Sequence, residues 1–441
     1  MIKYFGTDGI RGKANDFLNA ELALKLGRAA ASLVEERENK CVLIGKDTRI
    51  SGDMLESSLA AGLLAAGVDV FLLGVIPTPG VAALCRIYDA PGAVISASHN
   101  PYEDNGIKFF SAKGYKLSDN EQDRIEILMN DKLLRQNGLC TGRLYNITDA
   151  MQQYSSFLLD KQKPDLSGLK LVIDCANGAA SSLAPALLTG LGAQVIALEY
   201  EPNGKNINAG CGSTQPQLLQ KTVVAEQAQV GLAFDGDADR LLAVDEKGNI
   251  VDGDMLLTIM ARYLQQKGEL DFNTVVVTQM CNMALRLKLQ EQNIAVAVSS
   301  VGDRYVLEKM QQTGAILGGE QSGHIINSQF NSTGDALAAA LFILSIIKDS
   351  NYSLSAHTAD LQCFHQVHIN VPVKNKEGLA LDSEIGAVIA HAEEVLAGQG
   401  RVLVRASGTE QLLRVMTEGP KQEVLELLSE KISAVIRERL G

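Results

Sequence analysis

Asp235-Gly236-Asp237-Ala238-Asp239-Arg240 sets three carboxylates at alternate positions and a guanidinium directly after them. Like charges this close raise one another's pKa values unless a cation neutralises them. Carboxylate oxygens suit hard ions such as Mg²⁺ or Ca²⁺, and Arg240 is a planar fork matched to a pair of phosphate oxygens. A cation site with a phosphate clamp beside it points to phosphoryl chemistry. With Glu246 in twelfth place the run approaches a calcium-loop pattern, but that pattern needs Gly in sixth place, where Arg240 stands. Its flanks, 230–234 and 241–244, are short apolar runs that read as strands, not as paired helices. A solvated acidic turn is the plain alternative.

Four further segments carry reactive groups. Ser96-Ala97-Ser98-His99-Asn100-Pro101 follows the apolar run 92–95, so a strand delivers a hydroxyl-rich loop at its carboxyl end, where ligands bind in α/β sheets. A serine there can carry a covalent group, or the loop is only an Asx-type turn. Lys108, a few residues on, can face the same loop or be an ordinary solvated lysine. Gly6-Thr7-Asp8-Gly9-Ile10-Arg11-Gly12 offers close backbone approach and one arginine for a phosphate oxygen, or a common glycine turn. Gly318-Gly319-Glu320-Gln321-Ser322-Gly323-His324, after the apolar residues 315–317, offers a carboxylate, a hydroxyl and an imidazole suited to sugar hydroxyls, or a polar turn with a bonded histidine.

Arg405-Ala406-Ser407-Gly408-Thr409-Glu410, with Arg414 beyond, is the strongest anion candidate, because N–H groups and hydroxyls of such a turn can converge on a phosphate. No Gly-x-x-x-x-Gly-Lys-Ser/Thr and no Gly-x-Ser-x-Gly is present, which disfavours a P-loop and a hydrolase elbow.

The elements that must position these loops repeat one phrase: strand, helix, strand. The apolar patterns predict it over 42–45, 53–66 and 68–73, again over 169–174, 181–191 and 193–198, and again over 274–278, 283–292 and 294–299. Residues beyond 366 predict strands at 367–371, 401–405 and 412–417 and helices at 383–396 and 421–440. The expected fold is α/β, with three similar mixed-sheet domains and a smaller C-terminal α+β domain around a central cleft. The expected divisions are 1–150, 151–255, 256–366 and 367–441. One motif per domain implies that the ligand binds where the domains meet.

The chain has 441 residues, 46% of them apolar, and a net charge of −12. That acidity argues against nucleic acid or an acidic membrane as partner. The N-terminus lacks a secretory core, and the longest helical apolar run, 336–347, is too short to span a bilayer. Seven cysteines without metal or paired spacing favour a reducing cytoplasm.

Taken together and in this order, the five loops resemble those of the α-D-phosphohexomutase superfamily over essentially the whole chain. Tyr4-Phe5-Gly6-Thr7-Asp8-Gly9, Val301-Gly302-Asp303-Arg304-Tyr305-Val306 and Gln321 resemble its glucosamine branch. The resemblance implies four domains and interconversion of glucosamine 6-phosphate and glucosamine 1-phosphate through phospho-Ser98 and a hexosamine 1,6-bisphosphate, which also serves as primer. It implies one Mg²⁺ per chain on Asp235, Asp237, Asp239 and a Ser98 phosphate oxygen, and Arg240 on the phosphoserine. Glu320 and Ser322 would bind sugar hydroxyls. Arg405, Ser407, Gly408, Thr409 and Arg414 would hold the phosphate that is not reacting. Arg11, His99, Lys108 and His324 would line the reaction centre.

The partner implied is a small sugar phosphate, feeding amino-sugar nucleotides and cell-wall precursors; a homodimer is allowed and not required. The alternatives are a mannose or glucose phosphate as substrate, or a catalytically silent sugar-phosphate regulator. Three places depart from the family pattern. Ala238 replaces a usual Gly, which is tolerable if its φ is negative. Gln411 replaces a usual Pro. Thr278-Gln279-Met280-Cys281-Asn282 replaces a Gly-Thr-Leu-Met-Ser-Asn-like segment.

Overall fold

The computed structural model describes residues 3–6, 8–130, 140–380, 382–407 and 411–441. Its packing separates two units, Met1–Met280 with Ile294–Thr358, and Cys281–Asn293 with Ala359–Gly441. The first unit holds three sheets. The first sheet consists of β1 (Ile10–Lys13), β2 (Cys41–Lys46), β3 (Asp69–Val75), β4 (Gly92–Ile95), β5 (Asp104–Phe110) and β6 (Leu144–Asn146), in the order β1-β5-β4-β2-β3-β6. Strand β2 is buried on both faces, as expected for a parallel strand covered by helices. Val42 and Ile44 pack with Leu26, Leu55 and Leu59, while Leu43 lies on the opposite side with Val81 and Cys85.

The second sheet has β7 (Lys170–Asp174), β8 (Gln194–Leu198), β9 (Val230–Phe234), β10 (Leu241–Asp245) and β11 (Ile250–Val251), ordered β11-β10-β9-β7-β8. The third has β12 (Thr274–Thr278), β13 (Ala295–Ser299), β14 (Leu317–Gly319) and β15 (Ile325–Asn327), ordered β13-β12-β14-β15. The three expected strand–helix–strand phrases are all parallel pairs: β2 with β3, β7 with β8, and β12 with β13. Each sheet then adds a strand parallel to the first of the pair, followed by an antiparallel return: β4 and β5, β9 and β10, β14 and β15. The serine, aspartate and Glu320 loops are the three connections within these returns, so they occupy equivalent places.

Two details differ from expectation. The apolar residues 315–317, which read as a strand, only lead into one: the strand is β14, Leu317–Gly319. Glycines are weak strand formers, but a Cβ at Gly319 would meet the His324 carbonyl at 2.5 Å, so close strand approach selects glycine over propensity. The helix Met283–Glu291 follows β12 in sequence yet belongs to the second unit. There the Met283 N–H donates to Glu418 at 2.9 Å and Arg401 donates to the Cys281 carbonyl at 2.8 Å.

The second unit is an antiparallel sheet of β16 (His365–Pro372), β17 (Arg401–Ala406) and β18 (Leu412–Gly419), ordered β16-β18-β17. One face packs under the helices Ser383–Leu396 and Gln422–Leu440 through Ile385, Leu413, Val415, Leu425 and Ile432. Strand β16 is only partly buried, as befits a sheet covered on one side. No helix among the described residues is long and apolar enough to cross a membrane.

Candidate active site

Strand β4 carries the chain to Ser98, which is 1% exposed and left-handed, with φ 52°. Its hydroxyl donates to Asp235 Oδ2 at 2.5 Å, and His99 Nδ1 lies 3.3 Å from Ser98 Oγ. The Ser98 N–H donates to Ser96 Oγ at 2.9 Å, and Ser96 donates to Asp47 at 2.6 Å. The facing loop touches directly: a Cβ on Gly236 would meet the Ser98 carbonyl at 2.5 Å, so only glycine permits this approach.

Asp235, Asp237 and Asp239 are all buried, and one carboxylate oxygen of each lies within 4.8 Å of the others. Asp235 Oδ1 accepts the N–H groups of Asp239 and Arg240, each at 3.2 Å. Asp237 Oδ2 accepts from Thr78 Oγ at 2.7 Å and Lys108 Nζ at 3.2 Å. Asp237 Oδ1 and Asp239 Oδ1 are buried with no hydrogen-bond partner among the described residues. A buried acceptor left alone is costly. An all-oxygen donor set with two open buried atoms fits a hard divalent cation.

Burial together with Asp239 and Asp237 pushes the Asp235 pKa well up. Burial opposes charge on Asp239 too, but His324 and Lys108 hold that pKa well below the carboxylate range. Ala238 departs from expectation. Its φ is +55°, so the condition of a negative angle is not met and an alanine sits where glycine is favoured.

Cations ring this pair of loops. Lys108, 1% exposed on β5, lies 3.2 Å from Asp237, 3.3 Å from Asp8 and 3.9 Å from Asp239. Burial still lowers its pKa. Arg11 pairs with Asp8 and reaches the Ala97 carbonyl at 3.5 Å. Arg240 Nε lies 3.8 Å from Asp239, and burial is outweighed by the carboxylates, which raise its pKa. Burial, then Arg240 and Arg11, push His99 down to about 4, so it is neutral at pH 7. His324 Nδ1 lies 3.5 Å from Asp239, and its Nε2 accepts the Gly334 N–H at 3.1 Å. Burial disfavours charge on this ring while Asp239 and Asp303 raise its pKa.

Glu320 is half-buried and accepts the Gly302 N–H at 3.1 Å; Ser322 is exposed. Gln321 donates to Asp252 at 3.3 Å. A cavity of about 290 Å³ beside this region is lined by Tyr115, Lys116, Asp303, Arg304 and Glu308. Lys116 bridges Asp8 and Asp303. Arg405, Ser407 and Arg414 belong to the second unit, and Gly408 and Thr409 lie outside the described residues. Arg405 and Arg414 are directly opposite each other on β17 and β18. Two like charges so placed repel, and burial with the Arg414 charge lowers the Arg405 pKa; an anion between them would relieve both. Lys376 donates to the Ser407 carbonyl at 2.9 Å.

Sequence reasoning missed Thr78, Lys116, Arg49 and Asn208. Each acts on a partner far along the chain or on a backbone carbonyl, and none forms a motif by itself. The only signal was composition, in Asp47-Thr48-Arg49, an acid and a base leaving a buried strand.

Four family models of phosphoglucomutase/phosphomannomutase match in order: alpha/beta/alpha domain I at residues 2–136, domain II at 148–248, domain III at 252–364 and the C-terminal domain at 369–435. The chain belongs to the phosphoglucomutase/phosphomannomutase family of α-D-phosphohexomutases. Within that family it is 50% identical over 441 residues to a phosphoglucosamine mutase of Desulforamulus reducens, covering 99% of both chains. It is 49% identical over 445 residues to one of Shouchella clausii, covering 100% of both. Among solved structures it is similar to a phosphoglucomutase/phosphomannomutase family protein of Burkholderia thailandensis, with a TM-score of 0.84, 25% identity and coverage of 100% of this chain and 98% of that one. As a phosphohexomutase the chain is an isomerase that works by phosphoryl transfer.

Proposed function

We propose that the chain interconverts glucosamine 6-phosphate and glucosamine 1-phosphate through phospho-Ser98 and a hexosamine 1,6-bisphosphate. The observation that carries this is the 2.5 Å hydrogen bond from a buried serine to one of three buried aspartates. The half-identity to phosphoglucosamine mutases along the full chain supports the choice of sugar. The divisions 1–150, 151–255, 256–366 and 367–441, and a cytoplasmic location, go with the same reading.

Phospho-Ser98 gives its phosphoryl group to the free sugar hydroxyl. The bond from phosphorus to Ser98 Oγ breaks, a bond to the sugar oxygen forms, and the hydroxyl proton passes to Lys108 or His99, which burial biases toward neutral forms, and from there to the departing Ser98 Oγ, leaving the free serine hydroxyl. The bisphosphate then reorients and returns its other phosphoryl group to Ser98. Charge spread over the transferring group makes positioning and electrostatics the source of rate. Mg²⁺ held by Asp235, Asp237, Asp239 and a phosphate oxygen would neutralise that charge. Arg240 and Arg11 add to this neutralisation, Glu320 and Ser322 take sugar hydroxyls, and Arg405, Ser407, Gly408, Thr409 and Arg414 hold the spectator phosphate.

Ser98→Ala tests the reading, assayed with glucosamine 6-phosphate, Mg²⁺ and a trace of bisphosphate. Turnover is expected to fall by about 10³-fold or more with the circular dichroism spectrum unchanged. Retained turnover in that variant would overturn the phosphoserine role. A higher kcat/KM for mannose or glucose 6-phosphate would overturn the sugar.

A further inference from the structure

Arg49 is 2% exposed, and all five of its donors are used inside the first unit. Nε donates to Asp47 Oδ2 at 2.9 Å. Nη1 donates to the carbonyls of Asp104, at 3.1 Å, and Pro101. Nη2 donates to the carbonyls of Ser98 and Asn100, both at 2.9 Å. The amide of Asn208, which follows β8, donates to the same two carbonyls, at 2.9 and 3.0 Å. Two side chains from different sheets therefore converge on one pair of oxygens, on either side of His99.

These carbonyls are in no strand ladder, and the residue between the first of them and its own amide is the left-handed Ser98. A non-glycine residue persists there only when its surroundings over-determine it. The seam between the two sheets is fastened at two more points, Thr48 Oγ to the Asn177 carbonyl at 2.6 Å and the Ile50 N–H to the Gly204 carbonyl at 2.9 Å. Asn208 is itself left-handed, with φ 57°, a conformation asparagine tolerates well.

We infer that Arg49 and Asn208 are positioning residues that hold the Ser98 hydroxyl in register with the aspartate trio, so that it recaptures the phosphoryl group before the bisphosphate escapes. This rests on the phosphoserine reading above. Neither residue touches the reacting atoms; each acts through the Ser98 and Asn100 carbonyls. A lysine at position 49 keeps the charge but cannot present a planar fork to five acceptors.

The test uses full-length enzyme with Mg²⁺. Asn208→Asp keeps shape and backbone preference but turns an oxygen toward the two carbonyls. Measured are kcat and KM for glucosamine 6-phosphate at saturating bisphosphate, and the phosphate retained on Ser98, by intact mass, during turnover without added bisphosphate. Expected are a fall in kcat of about tenfold to a hundredfold, a KM within about threefold of wild type, and phosphate loss per turnover about tenfold higher. Arg49→Lys should move all three in the same direction and further. A merely structural role would lower the active fraction and leave phosphate loss per turnover unchanged, and that result, or wild-type kcat, overturns the inference. If Asn208→Asp does not fold, Asn208→Gly removes the amide while keeping φ 57° accessible, and is judged by the same readouts. A wild-type enzyme that turns over without ever carrying phosphate on Ser98 would instead sink the parent reading.

Discussion

The serine loop and the Glu320 loop occupy the same place in their sheets, between a strand parallel to its neighbour and its antiparallel return, yet they are built in opposite ways. Ser96, Ala97 and Ser98 of the serine loop are buried. Its carbonyls are taken by Arg49 and Asn208, and its hydroxyls by Asp235 and Asp47. The Glu320 loop leaves Ser322 exposed and Glu320 half-buried, tied to the Gly302 N–H. The difference matches the two tasks of a mutase. Transfer needs one fixed line between oxygen and phosphorus, which rewards rigidity. Recognition must accept a sugar in two orientations, which rewards open groups that can serve either end.

Asp237→Asn is the strongest way to break the rigid side. It removes charge from a carboxylate that accepts from Thr78 and Lys108 and has a second oxygen open for a cation. The expected outcome is a loss of about 10²–10³ in kcat, with the Mg²⁺ needed for half-maximal activity raised about tenfold to a hundredfold. A metal titration of activity, with calorimetry of Mn²⁺ binding to the same variant, checks both. An unchanged metal requirement would mean that the trio is not the cation site.

Glu320→Ala probes the open side and should behave differently. The residue would contact ground state and transition state alike, so its loss should raise KM about tenfold while kcat changes by less than about threefold. Steady-state kinetics in both directions tests this. A fall confined to kcat would make the Glu320 loop part of the transfer machinery and erase the contrast between the loops.

The same contrast explains what sequence alone could reveal. The three strand–helix–strand phrases and the loops after β4, β9 and β14 stand out because apolar runs and clustered polar groups are local patterns. Of the return strands that make those loops equivalent, β10 shows as the apolar run 241–244, while β5 and β15 follow from pairing within their sheets and were not read from local pattern. Arg49 showed only within Asp47-Thr48-Arg49, because beyond Asp47 its side-chain partners are carbonyls 49 to 55 residues away, and Asn208 was invisible because its partners are 108 and 110 residues away. The helix Met283–Glu291 shows in the apolar pattern, but the Met283 bond to Glu418 depends on tertiary packing alone and has no local mark. Open loops advertise themselves through side chains; rigid ones are held by backbone acceptors that every residue shares.

Ala238 offers the finest comparison, because it and Ser98 are both left-handed residues, one in the aspartate loop and one in the serine loop. An alanine there costs about 1–2 kcal/mol relative to a right-handed position. Glycine would remove that strain but add about 0.5–1 kcal/mol of chain entropy, and it would forfeit a fully buried methyl worth about 0.8 kcal/mol. These terms nearly cancel, so Ala238→Gly should change stability by less than about 1 kcal/mol and turnover by less than about twofold. Ala238→Val adds a branched Cβ at φ +55° and should cost more than about 2 kcal/mol, displacing Asp237 and Asp239 and weakening Mg²⁺ dependence with them. Denaturant unfolding of the two variants separates strain from packing. Were glycine to stabilise by well over 1 kcal/mol, the buried methyl would be doing little, and the metal loop would be a strained element held in place by its serine neighbour.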